Sequence, residues 1–260
     1  MKPVEFEEKL KRLDRSLFNA IRAQLHTNDK VTLLAIQQAF RKVFPDYVYL
    51  EIGSYLGGSL QPYYLDPLCR HIYSIDNRIA IAPDERGSIK IPENSHQTML
   101  NNLKALSEPN LKKLTCIEAD SKGLGNAQFN PPPNLCFIDG EHTNEAVMRD
   151  FLLCLKAIGP SGVLYFHDAN IIFEGLREAT LHLTKLKIPF RAYNLPAFVF
   201  VIEVGRPFLY KDPVISEALA NNYLGYLPSL LSMAHYREFY LSSRREVIAE
   251  SNRDEGRPQR

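Results

Sequence analysis

Leu50–Ser59 reads L-E-I-G-S-Y-L-G-G-S. It joins the apolar run Tyr47–Ile52 to a helix-compatible stretch over 58–69, so it is a strand–turn–helix junction. Gly53, Gly57 and Gly58 let the backbone turn sharply there and approach a ligand closely. The spacing sorts the ligand classes that use such turns. A dinucleotide fingerprint needs glycines at 53, 55 and 58, and Tyr55 occupies the middle position, which weakens that reading. A phosphate loop of the type G-x-x-x-x-G-K-[ST] fits Gly53 and Gly58, but Ser59 stands where its lysine is required. The pattern E-x-G-x-x-x-G-G, starting at Glu51, remains, beside the alternative of a glycine turn with no ligand.

Outward from this turn, short apolar runs recur at Tyr47–Ile52, His71–Ile75, Leu114–Glu118, Leu135–Ile138 and Gly162–Phe166. Helix-compatible stretches at 58–69, 94–107 and 143–158 separate them. This alternation predicts an α/β fold, a doubly wound and mostly parallel sheet with helices on both faces. Phe190–Asn194 and Ala197–Val204 are separated only by Leu195 and Pro196, too short for a helical crossover, so they form an antiparallel pair. Before the sheet, Leu10, Leu13, Leu17, Ile21 and Leu25 recur at steps of three and four and predict an amphipathic helix over 4–25. A second helix runs from Val31 to Phe44. The expected division is 1–45 as a helical lid or dimerisation segment, 46–205 as the core and 206–260 as a helical extension. Its end, S-N-R-D-E-G-R-P-Q-R, is polar and expected to be disordered. Residues 77–93 are long for a strand-to-helix connection and sit where ligands bind, which suits a lid, a substrate loop or a disordered insertion.

The 260 residues suffice for one large domain with extensions. With 31 basic and 30 acidic residues the net charge is +1, which gives no electrostatic case for nucleic acid or an anionic membrane. The longest apolar run, Pro196–Val204, is about half of a membrane span. The start M-K-P-V-E-F-E-E-K-L has no apolar leader core, so a cytoplasmic protein is expected. Cys69, Cys116, Cys136 and Cys154 form no C-x-x-C pair and read as buried thiols.

Asp76 ends the second strand, 23 residues after Gly53, where a carboxylate can accept hydrogen bonds from ribose hydroxyls; a plain turn residue is the alternative. Two further strands end in ionisable residues: L-C-F-I-D-G-E-H at Leu135–His142 and G-V-L-Y-F-H-D-A-N at Gly162–Asn170. In a parallel sheet both ends open on the same edge as the glycine turn, so Asp139, His142, His167 and Asp168 should converge there. His142 is the candidate general base, since an imidazole titrates near neutrality. Arg149 and Asp150 read as a helix surface or packing edge.

The E-x-G-x-x-x-G-G turn resembles the first motif of class I S-adenosylmethionine-dependent methyltransferases. I-D-G-x-H, Asp150, P-x-G-V and F-H-D together resemble the branch with macrocin-type sugar O-methyltransferases and cephalosporin-hydroxylase-like proteins. The resemblance covers about 46–204. It implies a Rossmann-like seven-stranded sheet with an antiparallel last strand. It implies S-adenosylmethionine held by Glu51, Gly53, Ser54, Gly57, Gly58, Ser59, Asp76 and Asp139, with Asp120 and Ser121 at the adenine. Asp139 and His142 are the catalytic pair it suggests. Some relatives bind a divalent cation, which by position would fall to Asp139, His167 and Asp168; Mg²⁺ or Mn²⁺ would suit, although the relatives with a metal carry a carboxylate where this chain has His167. The reaction expected is O-methylation of a hydroxyl on a sugar or small natural product. The amphipathic N-terminal helix, which the resemblance does not cover, suits either a cover over the active site or the interface of a homodimer. An NAD(P)-dependent oxidoreductase and a non-catalytic cofactor-binding protein are the competing readings.

Overall fold

The computed structural model describes residues 1–235 and 237–238. The decapeptide at 251–260, expected to be disordered, lies outside the described residues. Seven strands form one sheet: β1 (Tyr47–Ile52), β2 (Cys69–Ile75), β5 (Leu114–Ile117), β6 (Leu135–Ile138), β7 (Gly162–Phe166), β8 (Phe190–Leu195) and β9 (Val199–Val204). Their order is β5-β2-β1-β6-β7-β9-β8. The first five are mutually parallel, whereas β9 runs antiparallel to both β7 and β8. The antiparallel strand therefore sits inside the sheet, and β8 closes its edge. This is the Rossmann-like, doubly wound α/β architecture that the run spacing predicts.

Both sheet faces are buried, which is why the strands read as unbroken apolar runs. Alternation along β1 assigns the faces. Tyr47 and Tyr49 join Phe137, Val163, Tyr165 and Val201 on one side. Val48, Leu50 and Ile52 join Cys136, Ile138, Leu164, Phe166 and Ile202 on the other. The first face is covered by α1 (Pro3–Lys11), α2 (Thr27–Val43), α3 (Gln61–Leu65), α4 (His96–Ser107) and α7 (Pro213–Ala220). The second is covered by α5 (Asn144–Ala157) and α6 (Phe173–Lys185). Thr143 caps α5 by accepting from the Ala146 N–H, and Ser95 caps α4 from Thr98.

A ladder of phenols crosses the first face. The Tyr49 and Tyr63 rings stack with centroids 3.8 Å apart, and Phe137 stacks on Tyr165 at 4.8 Å. The Tyr63 and Tyr165 hydroxyls are 2.8 Å apart, and Tyr49 donates to Glu51 Oε2 at 2.6 Å.

Two local expectations need correction. The helix expected over 4–25 ends at Lys11; Leu13 adopts φ +51°, and Asp14 accepts from the Ser16 N–H to start a short 3-10 turn over Arg15–Phe18. The apolar spacing was real, because Leu10, Leu17 and Ile21 are all buried, but tertiary packing serves a broken chain equally well. The 77–93 insertion is an ordered β-hairpin, β3 (Ile81–Asp84) with β4 (Gly87–Lys90). Helix α6 fills the connection between β7 and β8. Residues 223–235 are helical beyond α7. All four cysteines are free thiols. No described helix is long and apolar enough to cross a membrane.

Candidate active site

The C-terminal ends of β1, β2, β5, β6 and β7 open onto one cavity of about 520 Å³, a volume within the range of small-molecule sites. Gly53, Ser54, Gly58 and Ser59 from the glycine turn line it. So do Asp76, Asp120, Ser121, Asp139, His142, His167 and Asp168. Glu51 and Gly57 do not. Gly57 packs on Met99 and Leu103. Glu51 lies fully buried behind the wall, where its carboxylate accepts from Ser59 Oγ and from Tyr49 Oη at 2.6 Å each. Burial raises its pKa to about 8, against the two hydroxyl bonds that lower it.

The glycines act by close approach. A Cβ on Gly53 would stand 2.0 Å from the Asp139 carbonyl oxygen, and the residue adopts φ +91°. The turn after β1 thus lies against the end of β6. A Cβ on Gly58 would meet the Arg22 carbonyl oxygen at 2.2 Å. That contact brings residues 22–26 against the turn, and they form a wall of the cavity.

Asp76 is almost fully engaged within the protein. Its Oδ2 accepts from the Tyr55 N–H at 2.8 Å; its Oδ1 accepts from the Arg78 N–H at 2.8 Å and from Asn94 Nδ2 at 3.3 Å. The Arg78 guanidinium adds an ion pair at 3.4 Å and donates to the Tyr55 carbonyl. Arg78 and Asn94 thereby fix the strained turn at Tyr55, φ +45°. Sequence reasoning missed both, since they reach the turn only through the fold.

At the other end, two histidines meet four carboxylates. His142 Nδ1 lies 3.2 Å from Asp84 Oδ2 on the hairpin; its Nε2 faces Asp139 at 3.6 Å and Asp168 at 3.4 Å. His167 is wedged between Asp29 at its Nε2 and Asp139 at its Nδ1, 3.2 Å from each. Arg86 clamps Asp84 through Nε at 2.6 Å and Nη2 at 2.8 Å. Burial disfavours charge on His142, but Asp139, Asp84 and Asp168 outweigh it and raise its pKa to about 10. The His167 imidazole is likewise held well above its ordinary value by Asp139 and Asp168, despite burial. Burial opposes ionisation of Asp139 and Asp168, yet the neighbouring imidazoles keep both carboxyls low. The surrounding carboxylates therefore favour the protonated form of both imidazoles.

A cation fits one trio by distance. Ligand atoms of Asp139, His142 and Asp168 all lie within 4.8 Å of one another. His167, the third ligand that the strand-end pattern implied, directs both ring nitrogens at carboxylates and is the counter-charge to Asp29. The geometry offers His142 in its place.

Hairpin residues Ala82, Pro83 and Ile89 roof the cavity, with Ile79 and Ile91 beside them. The Glu85 N–H donates to the His142 carbonyl at 3.0 Å, and Glu85 Oε1 accepts from the Asn144 N–H at 2.7 Å. Asp150, read as lying on a helix surface or at its packing edge, is buried and lines the cavity, which leaves the packing-edge alternative. Its helix turns inward because Val147, Phe151 and Cys154 pack on the sheet.

Comparison with known proteins bears on this site. Residues 50–169 match a family profile described as a methyltransferase domain. Among solved structures, a protein from Klebsiella pneumoniae assigned as an O-methyltransferase aligns at 14% identity and TM-score 0.50, over 76% of this chain and 90% of that one. The calicheamicin methyltransferase CalS11 aligns at 17% and TM-score 0.51, over 78% and 93%. At such identities these structures share the fold. A search of curated proteins found no match. The matched segment begins at the end of β1, takes in the glycine turn and runs past Asp168, so it spans the strand ends that build the cavity. Profile and fold agree: residues 50–169 form a methyltransferase domain on the Rossmann-like sheet, for which S-adenosylmethionine is the implied cofactor.

Proposed function

We propose that the enzyme methylates a hydroxyl oxygen of a small-molecule acceptor, a sugar or a small natural product, with His142 as the proton acceptor. One observation carries this reading. His142 Nδ1 is held by Asp84, which leaves Nε2 directed at Asp139 and Asp168 on the cavity wall shared with the glycine turn. The cofactor, when bound, supplies an activated methyl group. The protein's task is then to align the acceptor oxygen and receive its proton. Gly53, Ser54, Gly58 and Ser59 would bind the amino-acid part. Asp76 would take the ribose in exchange for a bond to Asn94. Asp120 and Ser121 would border the adenine. Residues 22–26 and the hairpin exclude water from the centre.

The imidazolium state sets a condition. Nε2 accepts the hydroxyl proton only after losing its own, so turnover should rise with pH toward the raised pKa. Mg²⁺ or Mn²⁺ is the second reading, favoured by the 4.8 Å grouping of Asp139, His142 and Asp168. It would polarise the acceptor hydroxyl, and the imidazole tilts the preference toward Mn²⁺. One nitrogen cannot serve both roles: Nε2 is either base or ligand.

Calorimetry with S-adenosylmethionine and S-adenosylhomocysteine, with and without EDTA, tests cofactor and metal together. Product formation over a panel of hydroxylated acceptors then tests the reaction. His142→Ala should keep cofactor affinity within about twofold and lower turnover by about 10²-fold or more. Full turnover in that variant removes His142 from the reaction.

A further inference from the structure

The helix over 223–235 is docked with its faces reversed. Gly225, Ser229 and Ser232 recur at steps of four and three, so they share one face. That face turns inward. Gly225 is buried, and a Cβ on it would stand 2.1 Å from the Ala197 carbonyl oxygen; Ser229 and Ser232 are half-buried. The opposite face carries Tyr223, Tyr226, Leu227, Leu230 and Leu231, which are 50–73% exposed. A surface helix ordinarily hides such residues and shows its small polar ones. A contiguous apolar ridge of this kind marks an interaction site.

Beside the ridge lies a groove of about 750 Å³. Phe173, Leu176, Phe198 and Phe200 line it from the core, and Tyr226 and Met233 line it from the helix. Arg177 is its one charged lining residue among the described residues, and it is exposed. Charge identifies the occupant. From Ala218 to Ala234 the sequence holds no Asp, Glu, Lys, Arg or His. Helices that lie on membranes carry Lys and Arg on a polar face that meets the headgroups, whereas this helix turns its small polar face to Ala197. A second copy of the chain suits it better. A two-fold contact sets a face against itself, so a charged face repels its mate and a neutral one does not. Such a contact also needs a patch that is complementary to itself, which a ridge beside a groove provides.

We infer that the chain forms a two-fold homodimer through this helix, the Leu227 and Leu231 ridge of each copy entering the groove of the other. Side chains half bared leave on the order of 100 Å² each. Five of them, with the groove walls, approach the roughly 800 Å² per partner that a standard interface covers. Tyr and Met are also favoured, and charged residues depleted, at the centres of such contacts. The N-terminal segment does not compete for this role, because Phe6, Leu10, Leu17, Phe18 and Ile21 are committed to the core of their own chain. The inference does not depend on the reaction chemistry. The groove begins at Ala169, the residue after Asp168, so pairing would hold the chain that leads out of the active site.

The test is sedimentation of the full chain over a concentration series. The wild type should run at the mass of two chains. The double variant Leu227→Glu, Leu231→Glu should raise the dimer Kd by at least about 100-fold, since each copy would bring carboxylates into an apolar contact with its like-charged mate. Its melting temperature, measured where both proteins are monomeric, should match the wild type, because both positions are exposed. Val4→Glu, at a residue 70% exposed on α1, should leave the dimer intact. A second measurement needs no variant: amide exchange over 223–235 in the wild type should slow as protein concentration rises. A wild type that stays monomeric, alone or while it floats with phosphatidylcholine vesicles, overturns the inference. So does a dimer that survives the double variant, one that Val4→Glu abolishes, or exchange over 223–235 that ignores concentration.

Discussion

At position 53 a single added methyl group would have nowhere to go. It would sit inside the van der Waals radius of the Asp139 carbonyl oxygen on a residue with φ +91°. Gly53→Ala should cost about 3 kcal/mol or more, through overpacking and backbone strain together, and thermal unfolding should show it. Glu51 gives a signed pH dependence. Its ordinary value of 4.5 is raised to about 8 in the folded chain, so between those values the folded state holds a proton that the unfolded state has lost. Stability therefore falls as pH rises from about 4.5 to 8, by on the order of 3–5 kcal/mol, and flattens above. Glu51→Gln, with its amide in the same pocket, should remove most of that slope. An unchanged profile of melting temperature against pH would refute the assignment.

At the scale of elements, the hairpin β3–β4 is held to the site by one buried carboxylate. Asp84 joins His142 to Arg86, and the neighbouring Glu85 joins the hairpin to the start of α5. Asp84→Ala should leave the global melting temperature within a few degrees but speed amide exchange over 81–91 by at least about tenfold, as local opening requires. Unchanged exchange would mean that the apolar residues alone hold the roof. This element also marks the limit of what was legible. The central runs of the main sheet were readable because burial on both faces leaves apolar residues in nearly unbroken sequence, and the edge strand β8 was readable from its short link to β9. The turn at Gly53–Ser59 was readable because its glycines sit at fixed offsets. The hairpin was not, because I-A-P-D and G-S-I-K are short, mixed in polarity and interrupted by Pro83. The site followed the same rule. Strand-end residues Asp139, His142, His167 and Asp168 converge as topology demands. Asp150 reaches the cavity, and Asp29, Asp84 and Arg78 reach the residues around it, through packing at long sequence separation, which no local spacing records. The position of His167 between Asp29 and Asp139 was equally invisible.

At the scale of the whole molecule, the first 26 residues share a core with the sheet. Phe6, Leu10, Leu17, Phe18 and Ile21 are buried against α2, α3 and β1. At about 1.5–3 kcal/mol for each buried side chain, their contribution rivals the 5–15 kcal/mol that keeps a domain folded. Deleting residues 1–25 should therefore unfold the protein instead of opening the cavity; a deletion variant with a wild-type melting temperature would overturn this. The chain has 13 tyrosines and no tryptophan. Burial raises the Tyr47, Tyr49 and Tyr165 hydroxyls well above the usual phenol value, and Tyr63 with them. The phenol ladder thereby makes the enzyme its own optical probe. In an alkaline titration read by phenolate absorbance, exposed tyrosines should ionise gradually and reversibly, while the ladder stays dark. Its ultraviolet absorbance should arrive in one step when the sheet comes apart, so the height of that step would count the molecules that have unfolded.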